Sequence, residues 1–233
     1  MTGSPLVSCI VPVFNGERFV AESIDSALEQ TYDPIEIVVV NDGSTDGTKA
    51  LLGGYGERIK VIDQANAGAN AARIRGVEAS SGSILAFLDA DDLWLPEKTE
   101  IQIERLAARP GAGICTCMTE NFWEKELANE AERLRGTKHD GPREASIQSM
   151  IFGREIFDRI GGLSTDISHY AEIDILLRAR ANDVVIEHVD RVLVRRRIHE
   201  NNISRDRGEQ GRADLLFLAE KAIARRRAAK SKE

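Results

Sequence analysis

The sequence predicts an α/β protein with a mostly parallel, doubly wound central sheet flanked by helices and a smaller, mixed second half. Three observations carry this. Strand-like and helix-like stretches alternate through residue 108. Three of the four strand candidates there are largely apolar, as expected for strands buried on both faces of a parallel sheet. Most of the strand candidates end on Asn, Asp or Gly, the residues that turn a chain.

The first strand is LVSCIVPVF at 6–14, which stops at Asn15-Gly16. RFVAESIDSALEQ at 18–30 then places Phe19, Ile24, Ala27 and Leu28 at helical spacing, and Asp33-Pro34 breaks the pattern. EIVVV at 36–40 is the second strand and runs into NDGSTDGT, a tight turn in which Ser44 or Asp46 can cap the next helix. IKVID at 59–63 reads as a third strand, the Ala-rich stretch 66–80 as a helix, and ILAFL at 84–88 as a fourth strand. A helix over 96–108 follows, with Pro96 in its first turn.

The second half alternates less regularly. GAGICTCM at 111–118 predicts a strand, 121–135 a charged amphipathic helix, and 136–145 a polar loop. SIQSMIF reads as a strand, REIFDRI as a short helix ending at Gly161-Gly162, and 171–183 as a longer helix. VVIEHV and VLVRRRI look like two closing strands, and 209–229 is a helix with a basic end. The expected organisation is one domain with a first half over 1–110, a second over 111–204, and a C-terminal helix and tail over 205–233.

Composition narrows the function classes. Hydrophobic residues make up 42% and charged residues 30%. No apolar run approaches the roughly 18 residues a membrane span requires. The N-terminal stretch lacks a basic region before a short, β-branched apolar segment, so no signal peptide is expected. A net charge of −7 argues against broad nucleic-acid binding. Cys9, Cys115 and Cys117 cannot form a paired framework and sit in strand-like sequence, which points to reduced thiols and a cytoplasmic setting.

The chemistry-bearing residues collect at one predicted sheet edge. The end of the first strand (Pro12, Val13, Phe14, Asn15), Asp42, the segment 66–73 with Arg73, and Asp89-Ala90-Asp91-Asp92 all fall at carboxyl ends of strands or just after them, where open α/β sheets bind ligands. Alone, Asp42-Gly43-Ser44 reads as a capped turn and residues 89–92 as a strand-to-helix loop. Together they suit a nucleoside diphosphate held with Mg²⁺ or Mn²⁺, because hard cations take carboxylate oxygens and leave positions for phosphate. Arg73 supplies a fork of donors matched to phosphate.

VSCIVPVFNGERFVAESIDSALEQTY, EIVVVNDGSTDGT, NAGANAARIRGVEASSG and ILAFLDADD, in that order, resemble the successive motifs of the inverting family 2 glycosyltransferases of the GT-A fold. The resemblance is strong over residues 6–108 and looser to about 204. It implies that Pro12, Val13, Phe14 and Asn15 line a nucleoside pocket, that Asp42 meets the base, and that Arg73 faces base and phosphates. Asp89, with Ala90 beside it, would lie near the ribose and Asp91 at the metal, with Asp92 as cap or support. Ile74 stands where the family often has Asn.

The family's base lies in a Glu-Asp pair, which is replaced here by Ala171-Glu172 in YAEIDILLRA. Glu172 is the expected base, because a carboxylate one methylene longer can make the same proton transfer. Asp174 is its rival. RRRIHENNIS resembles the closing strand and following loop of the family, which makes His199 a candidate metal ligand or diphosphate contact and Arg196 or Arg197 a partner for leaving-group charge.

The expected reaction transfers a sugar from a nucleotide diphosphate sugar, UDP-linked first of all, to a saccharide, lipid-linked or other hydroxyl acceptor in polysaccharide or glycoconjugate assembly. A basic C-terminal tail allows peripheral contact with the inner membrane face. Two alternatives remain open: a non-catalytic nucleotide-sugar-binding subunit, and a nucleotidyltransferase, whose Gly-rich phosphate loop Asn15-Gly16-Glu17-Arg18 does not supply. Phe14, Trp94 and Trp123 are expected to be packing residues.

Overall fold

A computed structural model describes residues 3–137, 141–144, 146–202 and 208–230. Side chains of Glu144 and of residues 225–230 fall outside the description, as do parts of the predicted 136–145 loop and 195–204 motif, and the basic tail with Arg225, Arg226 and Arg227.

The first half is built around β1 (Val7–Val13), every residue of which is buried. It is followed by α1 (Val20–Leu28), β2 (Ile35–Asn41), α2 (Thr48–Gly53), β3 (Lys60–Asp63), α3 (Ala69–Ala79) and β4 (Ile84–Phe87). β1 pairs in parallel with both β2 and β4, and β2 with β3, giving the order β3-β2-β1-β4. The strand order reverses at β1, so a crevice opens between the carboxyl ends of β1 and β4.

The second half makes the sheet mixed. β5 (Leu93–Trp94), α4 (Lys98–Ala107), β6 (Ala112–Trp123), α5 (Ala128–Leu134), β7 (Arg143–Glu144), β8 (Ile151–Gly153), α6 (Arg154–Arg159), α7 (Ala171–Ala181), β9 (Val185–Ile198) and α8 (Gly208–Lys230) follow. The sheet continues from β4 as β8-β6-β9-β5, antiparallel except for the β6–β9 pair. Three expectations are corrected here. Residues 121–123, expected to be helical, extend β6 because Phe122 and Trp123 pair with Arg197 and Ile198 of β9. The 146–152 stretch begins as a 3-10 turn at Ile147–Ser149, so only Ile151–Gly153 is strand. The two closing strands are one, β9, interrupted by bulges against β6.

Pleating divides the core. Val7, Cys9, Val11 and Val13 of β1 join α1 residues Val20, Ile24 and Ala27 on one side, whereas Ile10 joins Phe87, Phe152 and Phe157 on the other. The three Phe rings meet at centroid distances of 5.5–5.9 Å in tilted and edge-on contacts. α3 lies against β1 because Gly76 has no side chain: a Cβ there would sit 2.4 Å from Ile10 Cγ2. Lys98 of α4 is fully buried, with Nζ donating to Gln102 at 2.8 Å and lying 4.1 Å from the Trp94 ring centroid. Burial lowers its pKa. Among the described residues no helix is long and apolar enough to cross a membrane.

Candidate active site

At the switch point lies a cleft of about 920 Å³. Pro12, Val13, Phe14, Asn15, Asp42, Arg73, Asp89, Ala90, Asp91, Glu172 and His199 all line it. The candidates from both halves of the sequence are therefore brought to one surface.

The segments after β1 and β2 form a set of interlocked turns at the cleft. Asn15 turns the chain after β1 with φ of 50°, its N–H donating to Ser44 Oγ at 2.9 Å and its Oδ1 accepting from Thr45 N at 2.8 Å. Ser44 is thus engaged by the turn after β1, and Asp46 accepts from Thr48 N at 3.0 Å ahead of α2, whose N-cap position is Gly47 rather than Ser44 or Asp46. Asp42 is 3% exposed, and both its oxygens accept hydrogen bonds: Oδ1 from Gln64 Nε2 and Ala67 N, Oδ2 from Gly68 N, at 2.7–2.9 Å. Its carboxylate therefore shapes the loop that leads into α3. Phe14 is half exposed at the cleft, while Trp94 is buried and donates to Gln148 O.

Arg73 reaches from α3 to the end of β4, where Nη2 lies 2.5 Å from Asp89 Oδ1. Nη1 donates to Asn70 Oδ1 at 2.9 Å, and buried Nε has no partner among the described residues. Asn70 in turn donates to the carbonyls of Ser164 and Ile167, both at 3.0 Å.

The three aspartates of the acidic segment have different surroundings. Asp91 Oδ2 meets His199 Nε2 at 2.9 Å and accepts from Asn202 Nδ2 at 3.0 Å. Asp92 is buried and accepts from Arg197 N at 2.8 Å and from Gln148 Nε2. Burial, then the neighbouring Asp91 and Asp89 charges, push its carboxyl well above the usual range, opposed by the Arg197 N–H. Arg197 is 4% exposed. Its Nε donates to Asp91 O, its two Nη atoms pair with Glu124 and Glu22, and its guanidinium lies over the Phe19 and Phe122 rings. Arg197 therefore fixes the acidic segment, and Arg196 is the one of the pair that lines the cleft.

A carboxylate and an imidazole meeting at one point fit a divalent cation, and this donor set suits Mn²⁺ better than Mg²⁺ because imidazole nitrogen is a softer ligand. Among the described residues no group of three or more His, Cys, Asp or Glu side chains gathers. A cation at Asp91 and His199 would draw further ligands from phosphate and water.

Glu172, from the second half of the chain, lies in the first turn of α7 and lines the same cleft, with His169 and Tyr170 ahead of it. Asp174, two residues on, is 4% exposed and pairs with Arg178 at 2.8 Å, while Arg178 also donates to the carbonyls of Ile160 and Gly162. This pair holds α7 to the loop before it. Sequence reasoning missed Asn70, Gln148, His169, Tyr170 and Asn202. The one signal was Asn70 itself, a polar residue of low helix propensity inside an Ala-rich helix.

A family model described as glycosyl transferase family 2 matches residues 8–171. The chain belongs to that family. An uncharacterized glycosyltransferase of Rickettsia typhi is 33% identical over 211 residues, covering 85% of this chain and 66% of the relative. TuaG of Bacillus subtilis, a glycosyltransferase named for teichuronic acid biosynthesis, is 39% identical over 109 residues, 45% of this chain and 43% of its own. The chain thus spans less than two thirds of the length of these relatives. Among solved structures, the mannosyltransferase PcManGT of Pyrobaculum calidifontis, in complex with GDP-Man and Mn²⁺, superposes with a TM-score of 0.72 at 22% identity, covering 96% of this chain and 65% of that one. Staphylococcus aureus TarS with UDP-GlcNAc gives 0.67 at 17%, covering 84% and 59%. The fold is that of the GT-A glycosyltransferases.

Proposed function

We propose that the protein is an inverting, metal-assisted glycosyltransferase that uses a nucleotide diphosphate sugar, with a UDP-sugar as first candidate donor. The observation that carries this is the meeting of Asp91 and His199 in a cleft that Glu172 also lines.

Donor binding falls to residues 1–110. Phe14 and residues 12–15 offer a surface for the base, with Asp42 ordering the loop beside it. Arg73 and Asp89 lie where ribose and phosphates would arrive, and Arg73 Nε, without a partner among the described residues, favours an anionic ligand. Asp91 and His199 would hold a divalent cation, which when bound offsets charge on the departing diphosphate. Residues 111–204 supply the acceptor side. Glu172 takes the proton of the acceptor hydroxyl, the oxygen forms a bond to the anomeric carbon, and the bond from that carbon to the diphosphate breaks on the opposite face. Arg196 adds positive charge near the leaving group. TuaG's name, which sets that relative in teichuronic acid biosynthesis, supports an acceptor in polysaccharide assembly.

A thermal-shift screen of nucleotides and nucleotide sugars, with and without Mn²⁺, tests the reading. Stabilisation by one nucleotide sugar that grows with Mn²⁺ is expected. Indifference to all of them would remove it. Tight binding of UDP without sugar transfer at any pH would favour the non-catalytic alternative.

A further inference from the structure

The C-terminal helix α8 has no evident task in donor binding, yet it carries a carboxylate that is 2% exposed, Asp214. Its Oδ2 accepts from the backbone N–H groups of Ser168 at 3.0 Å and His169 at 2.8 Å, while Oδ1 accepts from Gln210 Nε2 at 2.8 Å. Burial alone would raise its pKa, but the His169, Gln210 and Ser168 hydrogen bonds outweigh that and hold it below the ordinary value.

The residues it holds lead directly into the first turn of α7. The N-cap residue of that helix, Tyr170, stands at φ of 64°, a left-handed conformation unfavourable for a bulky residue. Such a conformation persists only where its surroundings over-determine it. Two buried polar side chains hold the segment before it: Asp214 at the N–H groups of 168 and 169, and Asn70 at the carbonyls of 164 and 167.

We propose that Asp214 is a positioning residue that fixes the entry to α7 and thereby the reach of Glu172, so that α8 forms part of the acceptor side of the active site. The proposal rests on Glu172 as the base.

The test compares Asp214→Ala and Asp214→Asn with Lys221→Ala, which removes an exposed ion pair to Asp166 and a contact with the Phe217 ring. Turnover, donor KM, nucleotide affinity with Mn²⁺, and hydrogen exchange at the Ser168 and His169 amides are measured. Asp214→Ala is expected to lower kcat by about 10–100-fold, as small misplacements of a catalytic group do. Nucleotide affinity should hold, and the two amides should exchange faster. Asp214→Asn, which keeps an acceptor oxygen, should recover part of kcat, and Lys221→Ala should match wild type. Should Asp214→Ala fail to fold, Asp214→Asn alone carries the kcat and exchange comparison. Unchanged kcat, or a kcat loss matched by lost nucleotide affinity, overturns the positioning role. Full transfer by Glu172→Gln instead overturns the base assignment and the proposal with it.

Discussion

The Asp91 carboxylate and the His199 imidazole meet at 2.9 Å although 108 positions separate them in the chain. Asn202 donates to the same carboxylate oxygen, so the loop after β9 orients Asp91 as well as facing it. Asn202→Ala is expected to weaken Mn²⁺-dependent nucleotide binding by about 10–100-fold, the usual cost of losing a group that orients a ligand. A metal titration at fixed UDP measures this, and an unchanged midpoint would contradict it.

Glu172 and Asp174 should separate cleanly. Glu172→Gln should abolish transfer with little change in Tm. Asp174→Ala leaves Arg178 buried without its carboxylate and should cost about 3–5 kcal/mol. That corresponds to a fall in Tm of roughly 6–20 °C for a chain of this size. Thermal melts beside activity assays decide the matter; a stable, inactive Asp174 variant would reverse the two roles.

Gly76→Ala should destabilise by about 1–3 kcal/mol, because its Cβ would meet Ile10 Cγ2 at 2.4 Å and force α3 away from β1. Since α3 carries Arg73, donor affinity should fall with stability. Chemical denaturation and UDP binding are the two measurements.

Acid stability should depend on Glu36. Burial would raise its pKa, but hydrogen bonds from Ser8, Ser81 and Gly82 outweigh this and hold it below the ordinary 4.5. A carboxylate depressed in the folded state contributes stability that is full above its unfolded pKa and disappears as pH falls through the folded one. Glu36→Gln should therefore lower stability near neutrality and flatten its decline below about pH 4.5. Parallel curves for the two proteins would contradict this.

The three thiols should be inert in the native state. Burial pushes Cys9 and Cys115 up to about 12 and Cys117 to about 11, with Lys98 opposing in each case. Iodoacetamide labelling at pH 8 should track unfolding.

What was legible in the sequence follows from physical range. β1, β2 and β4 announced themselves because strands buried on both faces need unbroken apolar runs, and the carboxylates at their ends marked the ligand edge. Residues 121–123 and 146–150 misled because their conformation depends on partners far along the chain: Phe122 extends β6 only through Arg197 of β9. In the site, Asp91, Arg73 and Glu172 stood out by residue type and order. Asn70, Gln148 and Asp214 did not, because each acts on a group that only the fold brings near, two of them on backbone atoms.

The most direct test of the central claim is calorimetric titration of UDP and UDP-sugars, with and without Mn²⁺, into wild-type protein and Asp91→Ala. Wild type should bind more tightly with Mn²⁺, and Asp91→Ala should lose that enhancement. Equal, Mn²⁺-enhanced binding by both proteins would contradict the assignment of the cleft as a metal-assisted donor site.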